Sequence, residues 1–193
     1  MGSDPRRVAA GLLAAALLAL QPGVLAAQVF LTQDEALRLA FPEPATIERR
    51  TAFLDEDQLA RARDLAGPGV AIERRVVTYY VGRTPTGETL GSAFFDVHRV
   101  RTVPEVLMIV AAPDGRLARI EILKFGEPRK YAPPAGWLGQ FVGLGPGPEL
   151  SLKGRIVNMT GASLTSRAVT RAARRTMALY SVISGRVGDR PAP

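Results

Sequence analysis

Apolar and polar positions follow a helical period in the first part of the chain after residue 30. Within 31–40 the apolar residues form one stripe, and Thr32 and Glu35 have the spacing of a capping box. The pattern predicts a first helix there, ended by the proline that follows. A second helix is predicted at about 55–66, where Gly67-Pro68-Gly69 stops it.

The period then changes to that of strands. Residues 76–81 form a β-branched and aromatic run, and 90–97 read as the returning strand. Two further apolar runs within 106–123 flank Asp114-Gly115, a strong hairpin signal. The middle of the chain is therefore predicted to form an antiparallel sheet.

The C-terminal third returns to a helical period after two loops. A proline-rich loop at 127–134 precedes a short helical segment at 137–141, and a long helix is predicted at about 165–183. Helices before and after a run of strands favour one α+β domain, an antiparallel sheet with flanking helices, over residues 28–187. Residues 188–193 are predicted to be a flexible tail.

The N-terminal segment, 1–27, has the pattern of a secretory signal peptide. Arg6 and Arg7 precede an apolar run at 8–20, and small residues follow at 24–27. The run would rise only about 20 Å as a helix, less than a hydrocarbon core of roughly 30 Å. We expect cleavage after Ala26 or Ala27 and a periplasmic mature protein; an uncleaved N-terminal anchor is the alternative.

Composition excludes several kinds of chemistry. The 193 residues include no cysteine and one histidine, so disulfides, thiolate metal sites and a multi-histidine centre within one chain are excluded. The net charge of +7 suits an acidic partner or a membrane surface. Nucleic-acid binding is not predicted, because the arginines are scattered and aromatic residues make up only 6% of the chain.

The segment 157–169, V-N-M-T-G-A-S-L-T-S-R-A-V, places four hydroxyl side chains where the last helix begins. One interpretation is that they cap the helix. The other is a phosphate site, because the first N–H groups of a helix lack internal partners and carry the positive end of its dipole. A glycine in the preceding turn would let the backbone approach an anion.

The part of this segment from Thr160 to Ser166 resembles the flavinylation motif of the FMN-binding domain family. That motif reads Asp-x-x-Ser/Thr-Gly-Ala-Thr, usually followed by an apolar residue and Thr-Ser. The family includes periplasmic FMN-carrying subunits of sodium-pumping NADH:quinone oxidoreductases and Rnf complexes. The leader, the L-T-Q-D-E-A-L-R-L-A-F-P helix and the F-F-D-V-H-R-V-R-T strand end are also similar. Two positions differ: Ser163 replaces the acceptor threonine, and Val157 replaces the acid.

The resemblance implies that a flavin transferase joins FMN to Ser163 through a phosphoester bond. It implies an electron carrier rather than a stand-alone enzyme, exchanging electrons with a membrane-bound redox protein or reductase. A flavin-free or reversibly flavin-binding accessory or sensory module of a membrane redox complex is the alternative. The cofactor-binding residues that the resemblance implies are Thr160, Gly161, Ala162, Ser163, Leu164 and Thr165.

A few residues outside the motif are further candidates. His98 could contact the flavin, or it could be a hydrogen-bonded structural group. It could also form a hydrolytic triad with Ser163 and Asp96, although no G-x-S-x-G elbow surrounds the serine. Aromatic residues could form a wall for the isoalloxazine ring, and a place in the core is the equal alternative for the lone tryptophan. Charged residues at strand ends could contact the polar edge of the ring. The aromatic candidates are Tyr131, Trp137 and Phe141; the charged ones are Arg101, Glu105 and Glu127.

Overall fold

Within the described part of the chain, six antiparallel strands form one sheet. The computed structural model describes residues 28–185, so the predicted signal peptide and tail lie outside the described residues. The predicted α+β fold is confirmed. The elements are β1 (Gln28–Val29), α1 (Gln33–Ala40), β2 (Thr46–Phe53), α2 (Glu56–Ala66), β3 (Val76–Arg83), β4 (Thr89–Val100), β5 (Val103–Ala111), β6 (Leu117–Phe125), α3 (Ala135–Leu138) and α4 (Ser163–Ile183), with 3-10 turns at Arg129–Tyr131 and Gly139–Phe141. Across the sheet the strands follow the order β1-β6-β5-β4-β3-β2.

Local sequence explains where the first two helices begin. In α1 the Glu35 N–H donates to Thr32 Oγ1 at 3.3 Å and the Thr32 N–H donates to Glu35 Oε2 at 2.8 Å. This is the reciprocal capping box that the spacing predicts. Asp55 and Gln58 make the same exchange at the start of α2.

The strand β2 is an element that the sequence pattern did not reveal. Its eight residues are almost all exposed, because β2 lies at the edge of the sheet and, among residues 28–185, pairs with β3 alone. Without a buried face there is no alternation of apolar and polar residues to read. The position of this edge strand is therefore set by its pairing with β3 and not by a local sequence pattern.

The two faces of the sheet are covered by different helices. On one face, α4 packs Val169, Ala173 and Met177 over Leu107 and Ile109 of β5. The helix α2 packs against the C-terminal half of α4. On the other face, α1 packs over β4, β5 and β6. The N-terminal end of α4 is left beside the turn between β4 and β5.

The strands β3 and β4 pair over only part of their lengths. Their register runs from Arg83↔Thr89 to Tyr79↔Phe94, whereas β3 begins at Val76 and β4 continues to Val100. Over its final residues β4 remains paired with β5. Beyond Tyr79↔Phe94, therefore, β3 and β4 separate within the sheet.

Candidate functional site

The helix α4 begins at Ser163, two residues before the predicted start, after a turn through Gly161. Gly161 has φ +79°, a left-handed conformation that favours glycine. Among the described residues no side chain caps α4, and its first turn contains no acidic residue. The interpretation of the hydroxyls as helix caps is therefore wrong, and the first turn of α4 contributes no acidic side chain to compensate the positive end of its dipole.

Three of the hydroxyls in the motif have defined surroundings. The Ser163 hydroxyl accepts a hydrogen bond from the Asn158 side-chain amide at 2.8 Å. The Ser166 hydroxyl accepts from the Met159 N–H at 3.0 Å and donates to the Ala162 carbonyl at 3.2 Å. Thr165 is only 1% exposed, and its hydroxyl has no hydrogen-bond partner among residues 28–185. That is an unusual condition for a buried polar group, because most such groups are hydrogen-bonded.

Thr165 lines a cavity of about 230 Å³ at the start of α4. Gly161 to Thr165 contribute five of its lining residues, and the rest come from two other parts of the chain. The predicted site residues Gly161, Ala162, Ser163, Leu164 and Thr165 therefore meet there; Thr160 is exposed and does not line it.

Arg101, Glu127 and Tyr131 complete the lining of this cavity. Arg101 comes from the turn between β4 and β5, where its φ of +55° is strained for a residue with a side chain. Its Nε lies 4.0 Å from Glu127 Oε1, and the Glu127 side chain is only 9% exposed. Arg101 and Glu127 therefore bring one positive and one negative side chain to the cavity, beside the positive end of the α4 dipole.

Of the three aromatic candidates, only Tyr131 lines the cavity. Trp137 and Phe141 are buried in the core between α4 and the sheet, with ring centroids 5.1 Å apart. The Trp137 indole N–H donates to the Val157 carbonyl at 2.6 Å. Of the two interpretations left open by the sequence, the core position holds for Trp137 and Phe141, and Tyr131 alone of the three lines the cavity.

His98 lies in a buried network of charges rather than beside Ser163. Its Nδ1 is 2.9 Å from Asp96 Oδ1 and its Nε2 is 2.9 Å from Glu105 Oε2. Arg175 of α4 donates to both Asp96 oxygens, at 2.7 and 3.0 Å. Since both His98 nitrogens are engaged by carboxylates, His98 does not contact Ser163, and the hydrolytic triad is not assembled.

The network shifts the pKa of two of its members. Burial alone would lower the pKa of His98, but hydrogen bonds to Asp96 and Glu105, with the charges of both carboxylates, raise it to about 9. Burial would raise the pKa of Asp96, yet hydrogen bonds from His98 and Arg175 hold it at about 2. At neutral pH, therefore, an imidazolium lies between two carboxylates, which favours the structural interpretation of His98.

Sequence reasoning missed Arg175 as a partner in this network. Asp96 and His98 alternate along one strand, so they share a face, and that much could be read from the sequence. Arg175 is 79 residues away in the chain, and only the packing of α4 brings it to Asp96.

Among the described residues, no group of His, Cys, Asp or Glu is arranged to hold a metal ion.

Within the described part of the chain, no helix combines the length and apolar character needed to cross a membrane. Comparisons of the chain with protein-family models, with curated proteins and with solved structures returned no match. The functional assignment therefore depends on the residues of the site and on the motif.

Proposed function

We propose that this protein is a periplasmic electron carrier that holds one FMN, joined through its phosphate to Ser163. The observation that carries the proposal is the buried Thr165 hydroxyl, which has no partner among the described residues and lines a cavity at the start of α4, whose first turn contains no acidic residue. A phosphate oxygen would supply the acceptor that this hydroxyl lacks. The resemblance of 160–166 to a flavinylation motif supports the same site.

The residues around the cavity suit a phosphate ester. Gly161 leaves open space where a Cβ would stand, so the turn does not obstruct a group beside the helix end. The Arg101 guanidinium would offer hydrogen bonds to the phosphate, although the Glu127 carboxylate in the same lining offsets its charge. Asn158 donates to Ser163 Oγ and so orients the hydroxyl that would carry the ester.

The size of the cavity suggests where the rest of the cofactor would lie. About 230 Å³ is below the roughly 300–1,000 Å³ of pockets that enclose a drug-sized ligand. The cavity would therefore take the phosphate end and leave the ring nearer the surface, beside Tyr131 and the 41% exposed Leu164. An accessible ring suits an electron carrier, because partners must approach it.

The chain itself would bind and orient rather than catalyse. Bound flavin would supply the electron-accepting and electron-donating chemistry. The expected partners are a flavin transferase that loads the protein and a membrane-bound redox protein or reductase. A net charge of +7 suits docking to an acidic partner or to anionic headgroups.

The intact mass of the protein, co-expressed with a flavin transferase, tests the proposal. We expect the parent to gain the mass of FMN minus water. Ser163→Ala should abolish the gain, and Ser163→Thr should retain it, because either hydroxyl can form the ester. Ser184→Ala, just beyond the other end of α4, is the matched control and should be loaded like the parent.

Two other outcomes separate the alternatives. Yellow protein that loses its flavin on denaturation would indicate reversible binding. Colourless protein of unmodified mass, in the presence of an active transferase, would refute the proposal.

A further inference from the structure

The chain enters the domain at the same end of the sheet as the Ser163 cavity. Gln28 pairs with Phe125, so β1 starts level with the end of β6. Glu127 of the cavity follows Phe125 by two residues. The start of β5 also pairs with the end of β6, and this places the turn from β4 to β5, with Arg101 of the cavity, at the same end.

Apolar side chains are exposed beside this entry point. Val29 is 65% exposed and Phe30 is 37% exposed. The Arg129 guanidinium lies over the Phe30 ring, 5.7 Å from its centroid. Arg129 begins the 3-10 turn that ends at Tyr131, and Tyr131 lines the cavity together with the exposed Leu164. The entry point and the cavity therefore belong to one continuous surface.

Positive side chains are concentrated at this end of the molecule. The segments 99–103, 124–131 and 163–167 meet there, and they contain six cations and one acidic residue. The cations are Arg99, Arg101, Lys124, Arg129, Lys130 and Arg167. Glu127 lies 4.0 Å from Arg101, while Arg99 donates to a backbone carbonyl, which is neutral. Even with Asp34 and Glu35 of α1 counted against them, the cations outnumber the acidic residues six to three.

The predicted leader would bring this same end to a membrane. Its apolar run ends at residue 20, and the seven residues 21–27 lie between that run and β1. A fully extended segment of this length spans at most about 25 Å. While the apolar run is in the bilayer, before cleavage or as a retained anchor, this end of the domain is therefore held within that distance of it.

We propose that this end of the protein is a docking surface for an anionic lipid bilayer, which it contacts through Val29, Phe30 and the six cations. Exposed apolar side chains beside arginine and lysine are the combination that binds the headgroup region of a membrane. An acidic protein would pair with the cations but would not need the apolar residues. The docked protein holds the Ser163 cavity close to the membrane, where a membrane-bound partner can reach it. The surface itself does not depend on flavin at Ser163.

The test places an environment-sensitive fluorophore at one end of the sheet or the other. The chain has no cysteine, so Val29→Cys and its matched control Val142→Cys can each be labelled with NBD at a single position. Both valines are exposed. Val142 precedes Gly143, whose N–H donates to the Leu117 carbonyl at the opposite end of β6. The exported chain is added to vesicles, or is reconstituted into them if it retains its leader.

We expect vesicles of phosphatidylcholine and phosphatidylglycerol in equal parts to raise the emission at position 29 and not at 142. Pure phosphatidylcholine should raise neither. Arg129→Glu combined with Lys130→Glu should weaken the response at least about tenfold, because two cations become anions at the lipid surface. The control pair, Arg49→Glu with Arg61→Glu, makes the same change in net charge at exposed residues of β2 and α2 and should keep most of the response. Ser163→Ala should respond like the parent.

Four results would overturn the proposal. The first is unchanged emission at position 29 with anionic vesicles, and the second is an equal change in pure phosphatidylcholine or at position 142. The third is a response to anionic vesicles that survives charge reversal at Arg129 and Lys130. The fourth is a change at position 29 with polyglutamate but not with vesicles, because the docking partner would then be an acidic protein.

Discussion

Thr165 buries a hydroxyl without a partner among the described residues, and this has opposite consequences for stability and for binding. A buried polar group left without a hydrogen bond costs about 1–3 kcal/mol. Thr165→Val keeps the shape and removes that group. We expect the flavin-free protein to gain up to about 1 kcal/mol in free energy of unfolding, measured with urea, while flavin loading falls. A loss of stability on Thr165→Val would instead show that the hydroxyl has a partner in the folded protein.

The residue His98 makes stability depend on pH above neutrality. Its pKa is about 9 in the folded protein against 6.5 ordinarily, so the folded state holds its proton more tightly than the unfolded state. The resulting stabilisation is complete below pH 6.5 and is lost as the pH rises through 9. We expect the free energy of unfolding to fall by roughly 2–3 kcal/mol over that window.

Urea unfolding at pH 6 and at pH 9.5 measures this effect, and His98→Gln is the control. The glutamine keeps hydrogen-bonding capacity but does not titrate, so the fall in stability between the two pH values should largely disappear. An equal fall in the parent and the variant would assign it to other groups.

Asp96 makes stability depend on pH in the acid range as well. Because its pKa is lowered to about 2 in the folded protein, the free energy of unfolding should also fall as the pH drops below 4.

The elements that the sequence predicted are those with a local signal. The capping box at Thr32 and the Asp114-Gly115 hairpin were both read from neighbouring residues, and both are present. The edge strand β2 had no such signal, because its partner β3 is 23 to 37 residues away at the paired positions. The separation of β3 from β4 is also a tertiary feature, since both strands keep strand-forming sequences through the gap.

In the candidate site, too, the residues that lie in one stretch of sequence were predictable and those from distant parts of the chain were not. A single stretch of sequence supplies Ser163 and Thr165, and the structure brings both to one cavity. Arg101 and Glu127 belong to different turns, and no spacing argument singled them out among the charged candidates. Trp137 was equally compatible with a core or a site from its sequence, and packing against Phe141 decides for the core.

At the scale of elements, the docking of α1 depends on one glycine in β3. A Cβ on Gly82 would lie 2.3 Å from the ring of Phe41, which is only 2% exposed at the end of α1. We expect Gly82→Ala to lower the free energy of unfolding by about 1–3 kcal/mol through overpacking. Gly139→Ala is the matched control, because nothing lies within 4 Å of its added methyl group, and it should change stability by less than about 0.5 kcal/mol.

At the scale of the whole molecule, the predicted leader ends where the sheet begins. The strand β1 starts at Gln28, which pairs with Phe125, directly after the predicted cleavage sites at Ala26 and Ala27. Cleavage there would leave the sheet intact. We expect N-terminal sequencing of the periplasmic fraction to begin at Ala27 or Gln28. A chain that retains residue 1 and sediments with membranes would indicate the uncleaved anchor instead.

The tryptophan near the site gives the molecule an intrinsic optical reporter. Trp137 is the single tryptophan of the chain, and its indole N–H is bonded to the Val157 carbonyl in the segment leading to Ser163. Its fluorescence therefore senses the conformation of that segment without any added label. A flavin loaded nearby would quench the emission by energy transfer, so the loading of Ser163 could be followed in real time in the native protein.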